Sequence, residues 1–376
     1  NTQPGIQNFT SETPQFFPAL SSSRTKVSYG PFPVPPSSTN NGMIDYQLGP
    51  VKIACTDCTI TYMRAGLEYP NGSYANANTS LELHHTALLN DGNVDTACGY
   101  QGERIFASGN ERSEVDLCVN GTNKAGYYVA ANDTIYFIAE LMNASQDTQT
   151  AVVTITFEYI PHLPPGFNKV TPVWLDIAGC DSDSAVPVKN DAVFEYTSVP
   201  WMANTTGRVV AAIGHIHDGG THIQISNNNS TLCDCTATYG SSPGYMDAPG
   251  GMVMNMTGMS AVEMRNVGKH ISAITECDGG QIALGDNVTV TASYNLTEYV
   301  PMMYTNGSLE PVMGIGLVYV AQNETFTASA TPTTTAAAGA SGVLSSSSNA
   351  AAATHVAGGK VWIVGVVGGM VVLAFA

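Results

Sequence analysis

The sequence predicts an all-β chain: two tandem antiparallel, jelly-roll-like β-sandwiches with an extended N-terminal arm and a disordered C-terminal stalk. Three observations carry this. Short β-prone runs recur throughout, among them Val51–Ala54, Thr59–Met63, Leu81–Leu89, Thr134–Leu141 and Val152–Tyr159. Turn dipeptides separate them, Asn-Gly at 71–72 and 120–121 and Asp-Gly at 91–92. No long stretch has the 3.6-residue period of an amphipathic helix.

Residues 1–42 are rich in Pro, Ser, Thr and Asn. Pro31, Pro33, Pro35 and Pro36 remove backbone donors, so no central strand is expected there, only an arm that lies along the body or stays mobile. The first sandwich is expected over 43–162. The run Pro161-His162-Leu163-Pro164-Pro165-Gly166 then marks a junction. The second sandwich is expected over 163–327, with strands at Arg208–Ile213, Thr221–Ser226, Val288–Tyr294 and Met313–Val320. Residues 328–360 form a Ser/Thr/Ala-rich stalk with hydroxyls open to O-glycosylation. Residues 361–376, VWIVGVVGGMVVLAFA, are short for a bilayer span. With small residues at Ser348, Asn349 and Ala350 and no basic flank, they read as a signal for a glycosylphosphatidylinositol anchor; a single-pass helix is the alternative.

A formal net charge of −17, with only 13 Lys and Arg, makes nucleic acid and anionic membrane surfaces poor partners. Asn-x-Ser/Thr sequons start at Asn8, Asn71, Asn78, Asn120, Asn132, Asn143, Asn204, Asn228, Asn229, Asn255, Asn287, Asn295, Asn306 and Asn323. Their density predicts a secreted, cell-surface glycoprotein and marks these positions as exposed. In that oxidising compartment the eight cysteines are disulfide candidates, two bonds per domain: Cys55, Cys58, Cys98 and Cys118 in the first half, Cys180, Cys233, Cys235 and Cys277 in the second. Spacing leaves the connectivity open, and a zinc site at Cys55-x-x-Cys58 is the weaker reading.

Three features carry chemistry. His84 and His85 are adjacent on a predicted strand, where neighbours point to opposite faces, so a metal shared by both needs a bulge. His215-Ile216-His217 puts two rings on one face of a strand, and Asp218-Gly219-Gly220 then turns the chain, leaving the pair at a strand end. Met142 and Met313 close the set: two imidazoles and a thioether suit copper in both oxidation states, although methionine is more often core filler. A second thioether cluster, Met246, Met252, Met254, Met256, Met259 and Met264, marks either a Cu(I) relay or a loop.

These landmarks, in order over roughly residues 50–322, resemble the copper type II ascorbate-dependent monooxygenases of the peptidylglycine- and dopamine-hydroxylating type, and also the plant stress-up-regulated Nod proteins. The resemblance rests on His84-His85 in HHTALLN, on His215 and His217 after an apolar strand, and on Gly285-Asp286 … SLEPVMGIGLVYV. It implies two coppers per chain: His215, His217 and Met313 on the dioxygen-binding copper, His84 and His85 on the electron-storing one, with ascorbate as reductant. Two departures matter. The family's third histidine of the first site is replaced here, with Met142 the best-aligned residue. The residues that anchor a substrate carboxylate are replaced by Ile213, Ile315 and Leu317. The resemblance therefore implies hydroxylation of an uncharged substrate rather than peptide amidation. Copper capture or transfer on the same fold is the alternative, a wall glycoprotein with relic histidines a third. A monomer is expected.

Overall fold

The computed structural model describes residues 7–181, 183–248, 266–304 and 306–322, all within the unit Asn1–Asn323. The stalk, the apolar tail, the sequons at Asn255 and Asn323, and Met252, Met254, Met256, Met259 and Met264 lie outside the described residues.

The fold is all-β, as the alternating patterns require. A ten-stranded sheet forms the spine. Its order is β1 (Asn8–Glu12), β2 (Ser23–Val34), β10 (Gln149–Pro161), β4 (Cys58–Glu68), β8 (Ala125–Val129), β11 (Asn168–Asp176), β20 (Gly314–Gln322), β14 (Gly207–Ile216) and β18 (Gln281–Ile282), with β7 (Glu114–Asp116) paired to β4. Pairing is antiparallel except between β8 and β11, where Asn168 and Lys169 meet Ala125 and Gly126 in parallel. The junction expected at 162–163 thus falls between β10 and β11, inside one continuous sheet.

Two smaller sheets pack on this spine. One has the order β3 (Met43–Val51), β9 (Ile135–Asn143), β5 (Leu81–Val94) and β6 (Gln101–Gly109). The other runs β12 (Val193–Thr197), β19 (Asn287–Asn295), β15 (Gly220–Asn227), β16 (Ser230–Tyr239) and β17 (Ile271–Ile274), with β13 (Trp201–Met202) beside β19. Alternation on β20 shows how both are held. Met313, just before the strand, with Ile315, Leu317, Tyr319 and Ala321, enters one core; Val318 and Val320 enter the other. Tyr319 Oη also donates to the Ile105 carbonyl of β6 at 3.1 Å, tying the four-stranded sheet to the spine.

Several expectations are corrected. The N-terminal arm supplies β2, a strand hydrogen-bonded to β10 through Pro33. The prolines are tolerated because β1 pairs only with Arg24–Ser28, leaving Pro31 and Pro33 on an open edge where no donor is needed. Asp91-Gly92 is not a turn but lies inside β5, where the register to β6 jumps between Asn90 and Val94. Of Val51–Ala54, only Val51 is in a strand.

Cysteine pairing also differs. Cys55–Cys58, Cys98–Cys180 and Cys233–Cys277 are bonded, while Cys118 and Cys235 are free and buried. Cys98–Cys180 crosses between the halves, so the arrangement is not two per domain. Cys233 and Cys235 share one face of β16, and Cys277 can bond only one of them; Cys118 instead faces Asp116 at 3.1 Å. The sequon at Asn143 is not at the surface. The residue is fully buried, and its Nδ2 donates to the carbonyls of Pro35 at 2.9 Å and Asp147 at 2.8 Å, so no glycan fits there.

Candidate metal centre

The two histidine pairs meet in one place. On β5 the register to β9 passes from Leu83–Leu141 directly to His85–Glu140, so His84 is the extra residue of a β-bulge. The bulge brings both adjacent imidazoles to one side, with ring centroids 4.1 Å apart. On β14, His215 pairs with Ile315 of β20, and His217 follows the strand before the turn at Gly219 and Gly220. The four-stranded sheet carries the first pair onto this strand end. His85 Nε2 lies 3.0 Å from His215 Nε2 and 3.0 Å from His217 Nε2. His84 stacks alongside, its ring 4.9 Å from that of His217, and ligand nitrogens of His84, His85 and His217 lie within 4.8 Å of one another. The two sets that the resemblance assigns to separate coppers, His84 with His85 and His215 with His217, thus lie in one cluster.

Each of the three converging rings is oriented from behind. His85 Nδ1 donates to Glu140 Oε2 at 2.7 Å, His215 Nδ1 to Glu111 Oε1 at 3.2 Å, and His217 Nδ1 to the Pro311 carbonyl at 3.0 Å. A carbonyl only accepts, so the His217 proton is on Nδ1 and its Nε2 carries a lone pair; Glu140 orients the His85 ring likewise, and Glu111 holds the His215 ring from Nδ1. Burial, and then the neighbouring imidazoles, hold His85 and His217 well below the usual histidine range, so both rings are neutral. Glu111 stays ionised: burial alone would raise its pKa, but His215 and the Gly109 backbone amide outweigh it. The Nε2 lone pairs of His85 and His217 thus face each other at 3.0 Å with no proton to share between them. His85 Nε2 stands near 3 Å from both His215 and His217, and ligand nitrogens of His84, His85 and His217 all lie within 4.8 Å of one another, so these residues fit a cation bound at about 2 Å from each nitrogen. Three imidazoles suit copper, zinc, iron or nickel.

The supports are specific. Tyr294 Oη donates to the Met313 carbonyl at 2.6 Å and accepts from the His217 backbone amide at 3.2 Å, pinning the end of β14 against the start of β20. Gly109 closes β6 against His215. A β-carbon there would stand 2.5 Å from His215 Cε1 and 2.8 Å from Nδ1. Gly109→Ala is expected to push the ring off Glu111 and weaken metal binding about 10- to 100-fold, the usual cost of losing an outer-shell partner; titration of the variant with a competing chelator measures it.

The thioethers stand in different surroundings. Met313 packs with Ile213, Ile315 and Leu317 in the larger core. Met142 is the register partner of Glu82 and lines a cleft of about 420 Å³ with Glu82, Asp218, His270 and Met302. Ile213, Ile315 and Leu317, which stand where the resembling family anchors a carboxylate, are interior side chains, 4%, 6% and 1% exposed, on the core-facing side of their strands.

Sequence reading missed a second polar group. His270 Nδ1 donates to Asp218 Oδ2 at 2.7 Å and Nε2 to Asp247 Oδ1 at 3.0 Å, with Glu82 3.8 Å away. Burial opposes its charge, but Glu82 and Asp218 outweigh it and hold the imidazolium well above the usual range. His270, Glu82 and Asp218 share a small cavity with His84, His215 and His217.

These shifts have opposite signs. His85 and His217 resist protonation when folded but accept it when unfolded, so stability is lost as pH falls below about 6.5. The His270 contribution is complete below that pH and is lost as pH rises through its higher folded value. Between pH 6.5 and 5.5 the metal-free protein should lose on the order of 1 kcal/mol per lowered histidine. Thermal melts in chelator check this, and the His85→Ala, His217→Ala variant should show the smaller dependence.

Fold and site together define an all-β protein with a largely buried imidazole cluster that could hold a metal ion. Comparison with known proteins narrows the class. The chain is 36% identical over 307 residues to the probable copper-dependent oxygenase M1 of a Phoma species, covering 81% of this chain and 74% of that protein. It is 36% identical over 263 residues to the probable copper-dependent oxygenase clz3 of Cochliobolus lunatus, covering 69% and 78%. The chain belongs to this family of copper-dependent oxygenases. No family model matches it. Among solved structures, PNGF-II overlaps at a TM-score of 0.34 with 11% identity, over 75% of this chain and 60% of its own, and peptide:N-glycanase F at 0.30 with 11% identity, over 84% and 96%. Overlaps this low carry no argument about function.

Proposed function

We propose that this chain is a copper-dependent monooxygenase in which the cluster of His84, His85, His215 and His217 holds one copper. The observation that carries the reading is that His85 Nε2 lies 3.0 Å from the Nε2 atoms of both His215 and His217, with ligand nitrogens of His84, His85 and His217 within 4.8 Å of one another. Copper held there would supply one-electron chemistry and dioxygen activation. The chain's own groups do the rest. Glu140, Glu111 and the Pro311 carbonyl aim the rings. Tyr294 keeps the strand ends in register. His270 holds a proton at the wall of the same cavity.

The substrate we propose is not an anion. Glu82, Asp218, Asp247 and Glu310 line the cleft beside the centre, against Lys269 and His270, so a carboxylate would meet repulsion rather than an anchor. This favours oxygenation of an uncharged or cationic substrate and speaks against peptide amidation; the reductant we propose is ascorbate-type. Three disulfides and the exposed sequons support an extracellular location.

Copper-reconstituted protein with ascorbate should consume oxygen at a rate absent from a His215→Ala, His217→Ala variant. Equal uptake by the two would contradict catalysis. Copper binding without uptake would favour the copper-holding alternative.

A further inference from the structure

The cleft beside the imidazole cluster has two unlike walls. Met142, Met302, Met303 and Tyr304 form a largely apolar one. On the other, most polar groups are already paired: His270 with Asp218 and Asp247, and Glu82 Oε2 with Asn110 Nδ2 at 3.2 Å. Glu310 is the exception. The residue is only 4% exposed, yet its Oε1 is buried without a hydrogen-bond partner among the described residues. A carboxylate oxygen left unpaired in the interior is costly, because it has given up water and gained nothing in return. The backbone does not relax it away: the Glu310 amide donates to the Met302 carbonyl at 3.0 Å, and the next residue, Pro311, supplies the carbonyl that orients His217.

We propose that Glu310 is the substrate-anchoring residue, and that the substrate has an apolar body for the methionine wall and a hydroxyl or ammonium that donates to Glu310 Oε1. This rests on the oxygenase reading for the identity of the cleft as the substrate site. The geometry gives it a purpose: the residue that would grip the donor is one peptide bond from the group that fixes a metal-binding ring, so substrate position and ring position share a single backbone segment. The anchor is acceptor-only when ionised, which selects donors and rejects carboxylates and ethers.

The test uses four matched probes small enough for the cleft: cyclohexanemethanol, cyclohexanemethylamine, cyclohexylmethyl methyl ether and cyclohexanecarboxylate. Binding to the copper-loaded protein is measured by ligand-observed NMR, with copper content and the copper resonance spectrum recorded on the same samples. The alcohol or the amine should bind about tenfold or more tightly than the ether and the carboxylate, as expected for one charge-assisted hydrogen bond. Glu310→Ala should erase that preference, whereas Glu310→Gln, which keeps an acceptor oxygen and the side-chain volume, should retain the alcohol. Equal binding of all four probes, or an unchanged preference in Glu310→Ala, would overturn the proposal. Failure to retain copper would count against the metal reading alone, since probe discrimination at Glu310 is read independently.

Discussion

Replacing His85 by alanine is expected to abolish stoichiometric copper binding at micromolar protein while leaving the fold intact. His85 is the hub of the cluster, with its Nε2 3.0 Å from both His215 and His217. Its removal deletes one ligand and separates the pairs contributed by the two halves of the chain. Loss of an outer-shell partner costs about 10- to 100-fold in affinity, so loss of this ligand should exceed that. The vacated volume is beside a small cavity and polar neighbours, so the scaffold should survive. Equilibrium dialysis against copper, with circular dichroism of the same sample, separates loss of site from loss of fold.

The largest stability effect is expected at the Cys98–Cys180 bond. It closes 82 residues of sequence and straps the β5–β6 connection to the loop after β11. Chain entropy assigns such a loop about 4–5 kcal/mol. Cys98→Ser with Cys180→Ser should lower the unfolding free energy by that order, measured by denaturant titration. The local turn should persist, since Asp95 Oδ1 accepts from the amides of Ala97 at 3.1 Å and Cys98 at 2.9 Å, and Asp95 also pairs with Arg104 at 2.8 Å. Cys118→Ser and Cys235→Ser break no disulfide and should cost far less.

Part of this was legible from residues alone. Alternation gave most strands, because a half-buried strand must alternate. The spacing of His215 and His217 placed two rings on one face, and the adjacency of His84 and His85 required the bulge that β5 contains. What spacing could not show is that these pairs face each other. That depends on β6 ending at Gly109 against His215, a contact between residues 106 positions apart whose only local sign is a missing side chain. The carboxylates behind the rings were missed for a related reason. On β9 the resemblance points to Met142 as the third ligand, but the bulge aligns His85 with Glu140, one pleat earlier on the same face. Glu111 and the Pro311 carbonyl have no motif, and His270 is a lone histidine beside a methionine-rich stretch. The prolines of β2 misled because edge and centre of a sheet look alike until β1 is seen to stop short.

The central claim is that imidazoles from both halves of the chain build one metal centre. Copper titration followed by electron paramagnetic resonance tests it most directly. One Cu(II) per chain should give a single signal with several coupled nitrogens, and that signal should disappear both in the His84→Ala, His85→Ala variant and in the His215→Ala, His217→Ala variant. Two coppers per chain, each variant keeping one with its own distinct signal, would contradict it.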